Sequence, residues 1–307
     1  MVVKYFETKT THATYQERAE YKDGCWVIVQ GPSIAELDDL AEKFELNRSH
    51  LENVRDHEEQ PRLEYAEEAT YIFIRHAYTT AHGERETAPL LMILKHEVLI
   101  VIIPRPLAQD LPTGKASKTL RGTTLQVIEH VLGQYGVFLE EITHRIRTQR
   151  RSLHTHEISN QDLVHFVSLE EELNDFVSSL EPLNAMMQRL MLARHFPLNA
   201  HENEVLSDLI LKNQQLLSAS STLLRSIESI RNAHGTIATN NLNRTMKILT
   251  VATVLLALPN MIFGSFGVNI PLPEAIRTSP WSYPLVVVGT FSLTAAVYVV
   301  ARKRKIF

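Results

Sequence analysis

A stretch near the C-terminus that lacks charge constrains this chain more than any other feature. From Ile248 to Pro273 there is no Asp, Glu, Lys or Arg. At about 1.5 Å per helical residue, roughly 20 residues cross a hydrocarbon core about 30 Å thick. Met246 to Asn269 (MKILTVATVLLALPNMIFGSFGVN) is long enough to span one. Its faces are unlike. Steps of three and four from Asn243 reach Met246, Thr250, Thr253, Ala257, Asn260 and Gly264, a stripe that is small or polar apart from one Met. The remaining positions are mostly Leu, Ile, Val and Phe. A plain lipid anchor has no use for such a stripe, which implies neighbouring helices or water on one side. For this segment alone, a tight helix seam and a wet path are equally good readings.

A second charge-free run covers residues 281–301 and ends in Arg302, Lys303, Arg304 and Lys305. Trp281 and Tyr283 stand where interfacial aromatics belong. The link between the runs is short and carries Glu274 and Arg277. By the positive-inside rule, the basic end together with Arg244 and Lys247 puts both termini in the cytoplasm of a protein that crosses the cell (inner, cytoplasmic) membrane twice.

Mean hydropathy is −0.10, so the spans are a minority of the 307 residues. The charges after Lys247 total +4, which leaves −8 for residues 1–247 within a net −4. An acidic body disfavours a nucleic-acid partner. Cys25 is the only cysteine, so no intrachain disulfide forms, which fits an intracellular body. The opening MVVKYFETKT lacks the apolar core of a signal peptide.

The N-terminal part alternates strand-like and helix-like runs. Strands are expected at Cys25–Val29, Thr70–Thr80, Leu90–Leu94 and Val98–Ile103. Ser33 with Glu36 forms a capping-box pattern that opens a helix whose inner face is Leu37, Leu40, Ala41 and Phe44. A second short helix follows from about Ser49. Two long helices, Ser117–Leu153 and Gln161–Phe196, are joined by the polar link His154–Asn160 as an antiparallel hairpin, with a kink expected at Pro182. Glu170, Glu171 and Glu172 read as a solvated acidic face. Leu206, Leu209, Leu216, Leu223, Ile227, Ile230 and Ile237 recur at spacings of three and four. A single long helix cannot bury its own seam, so parallel self-association is expected. The segments are then an α/β domain (1–115), a helical hairpin (116–200), a stalk helix (201–245), a first span (246–269), an outer loop (270–280), a second span (281–301) and a basic tail (302–307).

These residues form a recognisable set. Two C-terminal spans, a short outer loop and a basic tail resemble the CorA magnesium- and cobalt-transporter family. Its Gly-Met-Asn signature closes the first span after an aromatic; here the stretch is Phe266-Gly267-Val268-Asn269, a Gly-Val-Asn variant. The approach from Asn243 to Thr250 is similar to the family's Asn-x-x-Met-Lys-x-Leu-Thr. Leu51-Glu-Asn-Val and Gln60-Pro-Arg-Leu-Glu64 resemble its LEDxLNxxQRPK region.

The resemblance implies a funnel-shaped homopentamer in the lipid membrane, with five first spans around a pore and the second spans outside them. Asn243, Met246, Leu249, Thr250, Thr253, Ala257 and Asn260 would line that pore. Met246 and Leu249 would form an apolar constriction able to gate by dewetting. Gly267, Val268 and Asn269 would form the outer mouth, near Glu274 in the loop. Arg302, Lys303, Arg304 and Lys305 would form a basic ring. Mg2+ gives up its water reluctantly, and neutral oxygens can hold it through that water without trapping it. The resemblance also implies a regulatory Mg2+ site between cytoplasmic subunits. Asp208 matches one of its acidic positions; the partner position is the neutral Asn53, with Glu52 and Asp56 beside it. No cofactor is called for beyond Mg2+ as cargo and regulator.

Val268 stands where the signature has Met, as in ZntB-type zinc transporters. Three functions therefore stay open: influx of Mg2+, with Co2+ or Ni2+; zinc transport, with proton coupling; or a membrane scaffold or sensor that transports nothing. No phosphate-binding glycine loop and no nucleophile–base pair is present, so an enzyme is not expected. His154, His156, His195 and His201 lack metal-ligand spacing and read as scattered surface residues.

Overall fold

The computed structural model describes residues 2–9, 14–81, 83–111, 117–152, 160–267 and 274–303. The chain divides into two compact units, residues 1–230 and 231–307.

The first unit is built on a seven-stranded sheet. Its strands are β1 (Val2–Lys9), β2 (Thr14–Arg18), β3 (Trp26–Gln30), β4 (Arg62–Ala66), β5 (Ala69–Thr79), β6 (Arg85–Lys95) and β7 (Val98–Ile103). They lie in the order β2-β1-β3-β7-β6-β5-β4, antiparallel except for the β3–β7 pair. The central strands carry long apolar runs, such as Val98–Ile103 of β7 and Leu90–Leu94 of β6, because both faces are covered. On one face Trp26, Ile28, Ile72, Ile74, Met92, Leu99 and Val101 join a core with the long helices. On the other Val27, Val29, Tyr71, Phe73, Leu91 and Ile100 meet α1 (Ile34–Phe44) and α2 (Arg48–Asn53). The expected capping box forms: the Ser33 N–H donates to Glu36 Oε2 at 2.7 Å, and the Ser33 hydroxyl accepts from the Glu36 N–H. α1 ends where Glu45 takes a φ of 50°, and Lys95 Nζ donates to the carbonyls of Phe44 and Glu45.

β1, β2 and β4 were not expected. β2 and β4 are edge strands, so much of their surface meets water and their sequences, TYQER and RLEYA, carry little apolar signal. The β4–β5 turn hides itself further. Glu67 and Glu68 adopt φ values of 53° and 59°, a geometry that usually announces itself as Asn-Gly.

Three helices cover the first face: α3 (Leu120–Ser152), α4 (Asn160–Leu192) and the start of α5 (Ala200–Gly267). α3 and α4 are antiparallel, since Tyr135 meets Phe176 while Arg145, farther along α3, meets Glu172, earlier on α4. Most of the link expected at His154–Asn160 falls on residues 153–159, outside the described residues. Pro182 sits inside α4 without ending it. α5 opens with a reciprocal cap: the Glu202 N–H donates to Asn199 Oδ1, the Asn199 N–H donates to Glu202 Oε2, each at 2.9 Å, and the Thr119 hydroxyl also donates to Glu202.

Two sequence expectations are corrected here. Glu172 is not on a solvated face but only 4% exposed; burial raises its carboxyl pKa against the pull of Arg145 at 4.0 Å. The leucine–isoleucine seam does not need other copies along its first part. Leu206, Leu209, Ile227 and Ile230 are buried within the chain's own core, with Leu216 and Leu223 packed half-buried against it. The helices fold back and cover the seam. Ile237 alone of that series is exposed.

The second unit holds the rest of α5, the single turn α6 (Glu274–Arg277) and α7 (Ser282–Lys303). α5 and α7 are long and apolar enough to cross a membrane, with few residues of either apolar stretch buried.

Candidate ion-conducting helix face

In the second unit, burial follows a helical spacing. Val251 is buried and Leu255, Leu258 and Ile262 are half-buried, at steps of four, three and four along α5, with Pro259 half-buried beside Leu258. On α7 the covered positions are Ser282, Val286, Thr290, Thr294, Val297 and Ala301, again at steps of three and four, with Val287 half-buried beside them. Among the described residues only α5, α6 and α7 make up this unit, so the two stripes are the surfaces these helices turn toward each other.

The polar stripe lies elsewhere. Thr253, Ala257, Asn260 and Gly264 each follow a covered residue by two positions, which is about 200° around a helix. They therefore occupy the side of α5 opposite α7. Asn243, Met246, Leu249, Thr250, Thr253, Ala257 and Asn260 are all exposed. Thr250 Oγ1 donates to the Met246 carbonyl at 2.8 Å, and Thr253 Oγ1 to the Leu249 carbonyl at 2.9 Å. With each proton committed to the backbone, the two hydroxyls present only lone pairs outward. Together with the amide oxygens of Asn243 and Asn260, this gives a face that accepts hydrogen bonds, such as those from the waters of a cation.

Two features of the site were not seen in the sequence. Arg244 and Lys247 stand seven and four residues before Val251, so they share its side, toward α7. Arg244 is thus turned from Thr253, Ala257 and Asn260, whereas Lys247 stands beside Asn243 and Thr250. The signal was available, since it is the same three-and-four spacing applied to cations. Pro259 lies inside α5 and offers no N–H to the Leu255 carbonyl, a break that membrane helices tolerate.

Gly267 is the last residue of α5, and Glu274 is exposed at the first position of α6. Arg302 and Lys303 end α7, both exposed. Val268, Asn269, Arg304 and Lys305 lie outside the described residues.

The residues of the expected regulatory site are in the first unit. Asn53 ends α2, donating to the Ser49 carbonyl at 3.3 Å and accepting from Arg62 Nη2 at 3.0 Å. Glu52 and Asp56 are exposed beside it, and Asp56 Oδ1 accepts from the Glu58 N–H at 3.0 Å. Buried Arg75 pins this segment to the sheet through the carbonyls of His57 (2.6 Å) and Glu59 (2.8 Å). Asp208 is exposed on α5. Among the described residues, no three His, Cys, Asp or Glu side chains within one chain converge to hold a metal ion.

The sequence matches the family model for the CorA-like Mg2+ transporter protein over residues 21–303. The chain belongs to that family. It is 24% identical over 255 residues to the cobalt/magnesium transport protein CorA of Methanocaldococcus jannaschii, covering 80% of this chain and 79% of the relative. Its fold matches the complete structure of the CorA magnesium transporter from the same organism, with a TM-score of 0.88 at 17% identity over 100% of this chain and 99% of the other. The full-length CmaX protein is also similar, with a TM-score of 0.78 at 16% identity over 98% and 97% of the two chains. The protein is thus a membrane transporter of divalent cations with an α/β N-terminal domain, a long helix and two C-terminal spans.

Proposed function

We propose that several copies of α5 meet around one axis with their polar stripes inward, and that hydrated Mg2+ enters the cell along the path they enclose. One observation carries this reading. The side of α5 opposite α7 is exposed in the single chain, yet it bears Thr253, Ala257, Asn260 and Gly264, with Asn243 and Thr250 on its flank, where lipid would favour Leu and Phe. A polar face in hydrocarbon is costly, and it is relieved by a shared aqueous core. The number of copies proposed is five, as the family resemblance implies.

Met246 and Leu249 would narrow the path at its cytoplasmic end, where an apolar ring can shut by dewetting. Asn260 would present an amide ring within the span, and Gly267, Val268 and Asn269 would form the outer mouth with Glu274 nearby. Such neutral oxygens favour weak multiple binding, which conduction requires. The membrane potential, worth about 2.3 kcal/mol per charge per 100 mV, drives a dication inward with no other energy source. The acidic body, both termini and the basic cluster Arg302–Lys305 would lie in the cytoplasm. Asp208, with Glu52 or Asp56 of a neighbouring copy, would sense cytoplasmic Mg2+; the neutral Asn53 weakens such a site.

The test is ion flux into liposomes carrying the purified protein, comparing Mg2+, Co2+ and Zn2+ at two pH values. Mg2+ influx that is driven by voltage and indifferent to pH is expected. Zn2+ influx that depends on pH and excludes Mg2+ would replace this reading with proton-coupled zinc transport. Flux of no divalent ion would leave a scaffold or sensor.

A further inference from the structure

The buried side of α5 repeats every seven residues. Leu206, Asn213, Ser220 and Ile227 hold one position, and Leu209, Leu216, Leu223 and Ile230 hold the other. This is the spacing of a coiled-coil seam. Its ends and its middle differ. Leu206, Leu209, Ile227 and Ile230 are large, apolar and buried. Between them stand Asn213 and Ser220, polar and fully buried, while Leu216 and Leu223 are only half-buried. Leu216 faces Gly136 of α3, where its Cδ2 lies 3.8 Å from the place of an absent Cβ. An open surface groove of about 540 Å3 runs beside the same stretch, lined by Thr143 of α3 and by Gln214, Ser218 and Thr222 on the exposed side of α5, with Leu223 at its edge. Large apolar layers therefore bracket a middle made of two buried polar residues and two half-covered leucines.

Within that middle, Ser220 donates to the Leu216 carbonyl of its own helix at 2.9 Å. Asn213 instead reaches across, its Nδ2 donating to the Leu180 carbonyl of α4 at 2.9 Å. Leu180 lies in the turn that closes at Pro182, where the missing N–H leaves the Ser178 carbonyl without its helical donor. Asn213 Oδ1 is buried without a partner among the described residues, and so is Oδ1 of Asn184, one turn beyond Leu180. A buried Asn in such a seam fixes register at a cost in stability. One that is half satisfied, against a weakened turn, holds its position less firmly than a packed leucine would.

We infer that residues 213–223 of α5 are a yielding segment, held by the half-satisfied Asn213–Leu180 hydrogen bond where packed leucines and isoleucines hold the layers on either side, and that breaking this weak latch lets α5 shift against α3 and α4 during transport. α5 runs unbroken to Gly267, so the latch acts on the rod that bears the polar face. Packed elements move between discrete arrangements rather than deforming smoothly, and a seven-residue seam with a soft centre offers two. The inference rests on the transport reading above for its consequence but not for the latch itself.

The experiment uses the full chain in liposomes, reading Mg2+ influx with a trapped indicator and amide hydrogen exchange along α5. In the wild type, residues 213–223 should exchange at least about tenfold faster than those around Leu206 and Ile227. Asn213→Leu should slow that exchange at least about tenfold and cut influx at least about threefold. Asn213→Gln, which lengthens the latch by one methylene, should speed exchange and serves if the leucine variant does not fold. Leu209→Ala should weaken the seam without slowing exchange at 213–223, which separates the latch from loss of packing. Uniform exchange along α5 from 206 to 230, or unchanged exchange in both Asn213 variants, overturns the yielding segment. Slowed exchange with influx near that of the wild type removes the latch from transport. A wild type that passes no ion sinks the transport reading, with the exchange data still judging the latch.

Discussion

α5 contains two stretches that obey the same helical geometry and opposite rules of burial. From Ala200 to Ile230 most of its large apolar residues are drawn into the chain's own core, where Leu206 and Ile227 are sealed in one cluster with α3, α4 and the sheet. From Arg231 to Gly267 almost every side chain is exposed, including Leu256 at 70% and Met261 at 75%. Water penalises exposed apolar surface by about 25 cal/mol per Å2, so the second stretch belongs to lipid or to other copies. Helix propensity is not what differs. The first stretch pairs apolar positions with charges such as Asp208, Lys212 and Glu228, whereas the second lacks charge from Ile248 onward. The lesson is that exposure in one chain, read beside the loss of charge, identifies the solvent for which the helix was built.

The strongest way to break this comparison is to make the polar face apolar. Asn260→Leu should cut Mg2+ uptake at least about tenfold, and Asn269→Ala should abolish it, with assembly unchanged by size exclusion. Uptake at the wild-type rate would remove that side of α5 from the path. Next in size is the contrast in stability. Leu206→Ala should cost about 2–5 kcal/mol in denaturation of the detergent-solubilised chain, against less than about 1 kcal/mol for Leu256→Ala, which has no core to hollow. Equal costs would erase the distinction between the stretches.

A comparable effect concerns acid. Burial holds the His76 imidazole at about 4, below its ordinary 6.5. Between those values the unfolded chain takes up a proton that the folded chain refuses. Stability from this group is therefore complete above about pH 6.5 and falls as pH drops toward 4, by about 3 kcal/mol in all. His76→Leu should flatten that part of the stability profile while leaving ion flux unaltered, since only the first unit contains the group. The smallest expected effect is regulatory. Asp208→Ala should shift the inhibition of uptake by cytoplasmic Mg2+ by about threefold or more, and an unshifted curve would take that carboxylate out of sensing.

The local sequence carried a good deal. The spans follow from absent charge, and the polar stripe from a count of three and four. β3, β5 and β7 were legible as apolar runs, and α1 from Ser33 and Glu36, because each signal sits within a few residues of what it specifies. β4 was not, since its partner strand is reached through a turn made of two glutamates in a conformation that glutamate seldom declares. Glu172 looked like its neighbours Glu170 and Glu171 and was placed inside by α3.

By itself, then, the order of residues determined which faces exist: a seven-residue seam, a polar stripe, two lengths of chain fit for lipid. Only the folded chain decided what each face meets. It set Leu206 and Ile230 against their own chain instead of a second copy, turned Arg244 and Lys247 toward the α7 side, and gave Asn213 a carbonyl thirty-three residues away. The reason is physical. Periodicity is a property of one helix and can be counted along it, whereas burial is a property of two surfaces, and the second surface comes from a distant part of the chain.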